Sequence, residues 1–364
     1  MILTDTVLIL SAVVVAALTV VVGLATMALS VRHHLASRRR AGVRDRVKPE
    51  LLDRLFAPEP DWQPWVDGLS RRERQQVESL LEEYLRRLRG TEYARLCELA
   101  SVLGIPERAK RNLRSGRKRF RALTWLSLLA EPVDADHVKT FRGDTPRNRA
   151  AAARLLHRND HPDAAAVGTD ILIGDGGSSL TAFGMDTLYR LNDGSETPLL
   201  SRIDAGIEAW NGRLLVQVLL VLRHCNIDNP GRRLGWLPGL AAHESPRVRT
   251  AAVGVAERHG WRDQLQAELD IGSLLSDREP SVRRDTYLLL ASWNNEHSAT
   301  WLRWAFVTAG SDEDVLALVR ALLLHSRVDL SELPVRLEPY VDWVRADNAV
   351  GRRRRVWGVS AAWS

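Results

Sequence analysis

The chain has 364 residues, 45% of them hydrophobic and 26% charged, with a formal net charge of +6 and a pI near 9.7. That length and composition exclude a chain too short or too polar to bury a core, and leave room for one large domain or two smaller ones. The basicity is local: residues 32–48 hold seven Arg/Lys against Asp45 alone, 105–121 hold eight against Glu107 alone, and Arg352, Arg353, Arg354 and Arg355 form a run. Across 122–344 there are 23 Arg/Lys against 30 Asp/Glu, a net charge near −7, which argues against a nucleic-acid-binding body. The basic stretches suit anionic lipid headgroups instead, at roughly 1 kcal/mol per basic residue near the surface.

In chain order, the first predicted element is a membrane helix. Val7 to Val31 carries no charge, and twenty-five residues at about 1.5 Å each reach roughly 37 Å, enough to cross a hydrocarbon core with some tilt. Met1 to Thr6 contain Asp5 and no basic residue, unlike the start of a cleaved signal peptide. Arg32, Arg38, Arg39, Arg40, Arg44, Arg46 and Lys48 follow it, so the positive-inside rule places the N-terminus outside and the body in the cytosol. Ala12 with Ala16, and Thr19 with Gly23, are small residues four apart through which two such helices could pair as a homodimer.

The stretch 57–64 contains three Pro and reads as a stiff extended linker. Ser70 and Glu73 have capping-box spacing ahead of Val77, Leu80, Leu81, Tyr84 and Leu88, so a helix should run to about Arg89. Leu96, Leu99, Val102 and Leu103 predict a second, ending near Gly104-Ile105-Pro106. Cys97 and Cys225 form no CxxC and no disulfide framework, which fits two small buried hydrophobes in a reducing compartment.

From there the chain repeats itself. Ser245-Pro246-Arg247-Val248-Arg249 returns thirty-four positions later as Glu279-Pro280-Ser281-Val282-Arg283. Similar steps from Arg249 reach Gln217, Phe183 and Arg149 backwards and Val315 to Val319 forwards, with Arg121 at a shorter step. A period near 34 belongs to helix pairs. Thr145 or Ser245 can cap a helix whose first residue is Pro146 or Pro246, and Val248, Ala251, Ala252 and Val255 make a buried stripe. A second apolar segment precedes each inner helix: 199–210, 234–242, 265–275 and 301–308. No pair can bury both of its faces alone, so neighbours must stack.

Pro246/Val248/Arg249 and Pro280/Val282/Arg283, each at the opening of an inner helix, resemble the HEAT family, over roughly residues 117–325. The resemblance implies an α-solenoid whose inner helices line a concave surface, and a family whose usual work is holding partners.

The reactive residues form no catalytic constellation. His157 and His161 stand four apart as metal ligands can, but Asn159, Asp160 and Pro162 put His161 in a loop. His243-Glu244 is a single pair, where HEAT-like iron hydroxylases are marked by several. The Gly174 to Ser179 segment has neither the strand nor the Lys of a phosphate cradle and reads as a turn between helices. No catalytic residue, metal or cofactor is therefore assigned.

The expected chain is all-α: a single transmembrane helix (1–31), a basic juxtamembrane segment with a Pro-rich linker (32–66) and a helical module (67–116), then a HEAT-like α-solenoid of roughly five to six pairs (117–344) and a basic Trp-containing tail (345–364). The expected function is a non-enzymatic, membrane-tethered scaffold binding a protein at the cytosolic face, with an envelope polysaccharide or glycosyltransferase assembly as a setting. The competing reading is a helical-repeat enzyme or nucleic-acid binder of the DNA-glycosylase type. Partner contacts are expected at Arg149, Arg249, Arg283, Trp301 and Trp304, and lipid contacts at Arg38, Arg39, Arg40 and Arg352 to Arg355. If the repeat arginines pair with acids of the repeats they are structural; aligned along an open groove they favour a polyanion.

Overall fold

A computed structural model describes residues 42–356 apart from 194–196, 228–232, 261 and 329–336, together with 22, 23, 26, 27 and 30. Among the described residues no helix is long and apolar enough to cross a membrane. The predicted transmembrane helix, its homodimer face and Arg38, Arg39 and Arg40 lie, apart from those five positions, outside the described residues. What is described is all-helical, in two compact units that divide between Glu131 and Pro132.

The first unit contains α1 (42–56), α2 (Trp62–Gly68), α3 (Arg71–Leu85), α4 (Gly90–Val102), α5 (Ile105–Asn112) and α6 (Arg119–Leu128). The capping box forms: Ser70 Oγ accepts from the Glu73 N–H, and the Glu73 carboxylate accepts from the Ser70 N–H at 2.9 Å. Val77, Leu80, Leu81 and Leu85 are the buried stripe this cap starts. The expected linker is not simply extended. Val47, Leu51 and Leu55 lie one turn apart, so α1 buries an apolar stripe, and Trp62, Trp65 and Val66 of α2 are buried too. Arg95 locks the segment between α1 and α2 by donating to Leu55 O at 2.7 Å and Pro58 O at 3.0 Å. The helix holding Arg121 belongs to this unit, packed against α3 and α5.

The second unit begins with α7 (Ala135–Lys139) and α8 (Pro146–Arg158), then α9 (Ala164–Ile173), α10 (Ala182–Asn192) and α11 (Pro198–Asp204). It continues through α12 (Gly212–Leu222), α13 (Leu237–Ala241), α14 (Pro246–His259), α15 (Asp263–Glu268) and α16 (Ile271–Leu275). It closes with α17 (Pro280–Trp293), α18 (Glu296–Thr308), α19 (Asp312–Leu324) and α20 (Glu338–Val356). The helices at the repeat positions pack in series, α8 on α10, α10 on α12, α12 on α14, α14 on α17, α17 on α19 and α19 on α20, the one-dimensional stacking of an α-solenoid. The intervening segments expected at 199–210, 234–242 and 265–275 are short or broken helices, and that at 301–308 is part of the full-length helix α18.

Each inner helix needs a start, and the residues supply it differently. Thr145, Thr181, Asn211 and Ser311 accept from the N–H three residues ahead. Ser245, expected to do the same, makes no side-chain cap; its N–H instead donates to His243 Nδ1 at 2.9 Å. The inner helices α10 and α12, which lack the Pro, are thus capped by side chains, whereas α14 and α17, which have it, are not. The tail boundary expected at 344/345 falls inside α20, because Val341 and Val344 sit one turn apart and bury against Val319 with Leu337. Arg352 to Arg355 continue that helix, and their side chains lie outside the described residues.

The stack buries titratable groups, with consequences for acid stability. His259, at the end of α14, is buried with Nε2 3.3 Å from Leu222 O, and burial pushes its imidazole from 6.5 down to about 4. Arg258 and Arg262 act in the same direction. The folded state holds this group neutral while the unfolded chain takes up a proton below pH 6.5. Stability is therefore intact above pH 6.5 and falls towards pH 4, by about 3 kcal/mol for this group. Denaturant titrations between pH 7 and 4 should show a steeper loss for the parent than for His259→Gln; equal slopes would place the proton elsewhere.

Candidate functional site

The repeat arginines Arg249 and Arg283 are committed inside the chain. On α14, Arg249 makes a bidentate pair with Asp277, Nε to Oδ2 at 2.7 Å and Nη2 to Oδ1 at 2.8 Å, while Nη1 donates to His243 O and Glu244 O at 2.9 Å. On α17, Arg283 does the same to Asp314, at 3.1 and 2.7 Å, and its Nη1 donates to Asp277 O at 2.6 Å. Both guanidiniums are held above their ordinary range, first by these carboxylate hydrogen bonds. Each arginine thus ties the turn before its own helix to the repeat that follows, which makes it structural rather than a free cation. The carboxylate lies 28 or 31 residues ahead, a separation that repeat spacing alone did not suggest.

Arg149 is the third copy, and it differs. It is buried and bonds Ser178 Oγ, with no carboxylate in the place of Asp277 or Asp314, and burial pushes its guanidinium below the ordinary range. Its Nε has no partner among the described residues. The Gly174 to Ser179 segment joins α9 to α10, and Gly174 O accepts from Arg142 at 2.9 Å and Arg202 at 2.8 Å. Gly174 and Gly176 hold φ of +62° and +81°, and a Cβ on either would meet Arg149 Nη1 at 2.5 Å or Trp210 Cδ1 at 2.4 Å. Gly174 thus allows close packing against the buried arginine, and Gly176 against Trp210.

Trp301 and Trp304 lie on α18, away from the inner helices that carry the arginines. Their rings meet edge to face at 5.8 Å; Trp301 Nε1 donates to His297 Nε2 at 3.1 Å, and its ring lies close to Gly272 of α16. Trp304 is 40% exposed and Val307 beside it 79%. The predicted contact residues therefore do not form one site.

What the sequence left unmarked is the solvent side of the inner helices. Val216 and Leu220 of α12, Pro246, Arg247 and Thr250 of α14, and Glu279 and Asp285 at and within α17 line one open cavity of about 500 Å³. Leu220 is 40% exposed, and Phe183 on α10 is 42% exposed with Arg154 stacked 5.0 Å over its ring. Three of the arginines on the inner helices are answered by carboxylates: Arg154 by Asp186, Arg223 by Glu257 and Arg284 by Asp285. The readable signal was the helical offset i, i+4 between Val216 and Leu220 on the face opposite the buried Leu215, Val218 and Leu222.

His157 and His161 do not converge: α8 ends at Arg158, Asp160 turns the chain at φ +47°, and His161 Nδ1 accepts from the Asp163 N–H at 3.1 Å. Among the described residues no group of three or more His, Cys, Asp or Glu is placed to hold a metal ion. Cys225 is buried, its thiol pushed up to about 12 by that burial, and Cys97 is half-buried. No protein-family model, curated protein or solved structure matches the chain.

Proposed function

We propose that the chain is a non-catalytic, membrane-tethered scaffold of HEAT-like repeats that holds a protein partner at the cytosolic face. The observation that carries this reading is the division of labour on the inner helices. Arg249 and Arg283 are consumed in brackets between repeats, while Phe183 stays exposed on α10 and Leu220 stays exposed in the lining of an open cavity. A stack that spends these two repeat arginines internally and leaves bulky apolar groups outside is built to cover a surface, since contact residues of this kind anchor interfaces. The uncharged stretch Val7 to Val31 with its basic flank supports the tether, which would keep the repeats concentrated at the membrane. An enzyme of an envelope-building assembly is a fitting partner for an anchored body without chemistry of its own.

A photoreactive residue at Phe183 of the full-length chain, activated in intact host cells, should yield a discrete protein adduct. The same residue at Glu268, exposed on α15, should not. Adducts only to nucleic acid, or equal labelling from both positions, would remove the scaffold reading.

A further inference from the structure

The groove also carries information about what it holds. Arg213 and Arg247 occupy the second position of α12 and α14, thirty-four residues apart, and both are exposed. Neither has a hydrogen-bond or ion-pair partner among the described residues, in contrast to Arg154, Arg223 and Arg284. Both also stand in a first helical turn, where unsatisfied N–H groups add positive potential. Arg213 precedes Val216 and Leu220 by three and seven positions on one stripe, and Arg247 lines the cavity with them. An otherwise acidic repeat region therefore keeps one unanswered cation, Arg247, in the cavity lining and a second, Arg213, one turn ahead of Val216 on α12. A ligand that covered Leu220 with apolar atoms alone would begin to desolvate these guanidiniums without compensation, whereas a carboxylate beside the apolar group would pair with them.

We propose that the groove over α12, α14 and α17 binds a peptide segment of a protein partner in which a bulky apolar residue stands beside Asp or Glu. The apolar side chain lies on Val216 and Leu220, and the carboxylate faces Arg247 and Arg213. Glu279 lines the same cavity and interrupts any continuous positive track for a phosphate backbone, so the lining suits a segment with one carboxylate placed at Arg247 and Arg213 over a nucleic acid. The proposal rests on the scaffold reading and names its partner's chemistry.

The test is display selection of random twelve-residue peptides on the full-length protein in detergent micelles. Enriched peptides should place Asp or Glu within a few positions of Leu, Ile, Phe or Trp. A consensus peptide should bind Leu220→Glu, and separately Arg213→Glu/Arg247→Glu, at least tenfold more weakly than the parent. Both arginines are exposed, and Glu in a first helical turn favours the helix, so unchanged melting would show that the fold is kept. Enriched peptides that are basic or wholly apolar, or that bind the variants as well as the parent, overturn the groove assignment while leaving the scaffold reading standing. A single-stranded DNA oligonucleotide that binds the parent and loses binding in the double variant would make the ligand a nucleic acid. No enriched peptide, together with no protein adduct from Phe183, sinks both readings.

Discussion

Val248→Asp should abolish cooperative unfolding of the repeat region. Val248 is fully buried on α14, facing α12 so closely that a Cβ on Gly212 would lie 4.0 Å from its Cγ2. The substitution puts a carboxylate into the junction between two repeats, where it either stays charged without solvent or takes up a proton and remains unpaired. Either outcome should remove about 4 kcal/mol or more, a large fraction of what holds a domain together. Val248→Ala, which leaves only a small cavity, should cost about 2 kcal/mol. The measurement is chemical denaturation of the full chain followed by circular dichroism. Two variants of equal stability would mean that the junction is open enough to hydrate a charge, and that α12 and α14 are not packed as described.

The second large effect is expected at Asp314, which is 5% exposed and accepts two hydrogen bonds from Arg283. Asp314→Ala leaves Nε and Nη2 of a largely buried guanidinium without acceptors, and removing one partner of such a pair costs about 3 kcal/mol. Ser311 also loses a bond, since its Oγ lies 2.9 Å from Asp314 Oδ2. Arg283→Met with Asp314→Leu should recover most of the loss, because two apolar side chains leave no stranded charge. The informative quantity is the coupling energy of the double-mutant cycle. Coupling near zero would show that Arg283 and Asp314 act separately, and the bracket between repeats would then be no more than a contact.

Much of this architecture could be read from the chain. Pro146, Pro246 and Pro280 mark helix starts by what they lack, an N–H that the first turn does not need, and each does begin a helix. Ser70 with Glu73 marks another start through reciprocal side-chain bonds that span only three residues. Such signals are legible because cause and effect lie within one turn. The stripe Val47, Leu51 and Leu55 is equally local, but it lies in a segment whose most evident feature is basic charge, and the expected juxtamembrane segment holds a helix there. Similarly, Val341 and Val344 extend a helix through a boundary that composition alone had suggested.

The sequence by itself therefore determined helical content, the helix-pair period and the uncharged stretch Val7 to Val31, because each depends on neighbours within a few residues or on a repeat of fixed length. Only the tertiary structure decided the fate of the arginines. Arg149, Arg249 and Arg283 occupy the same repeat position, yet two meet carboxylates and one meets a hydroxyl beside a glycine turn. Arg213 and Arg247, unremarkable in the sequence, are among those left facing outward. A guanidinium on a side chain this long is claimed by whichever acceptor packing brings within about 3 Å, and that acceptor lies about 30 residues away in the next repeat, where no local rule reaches.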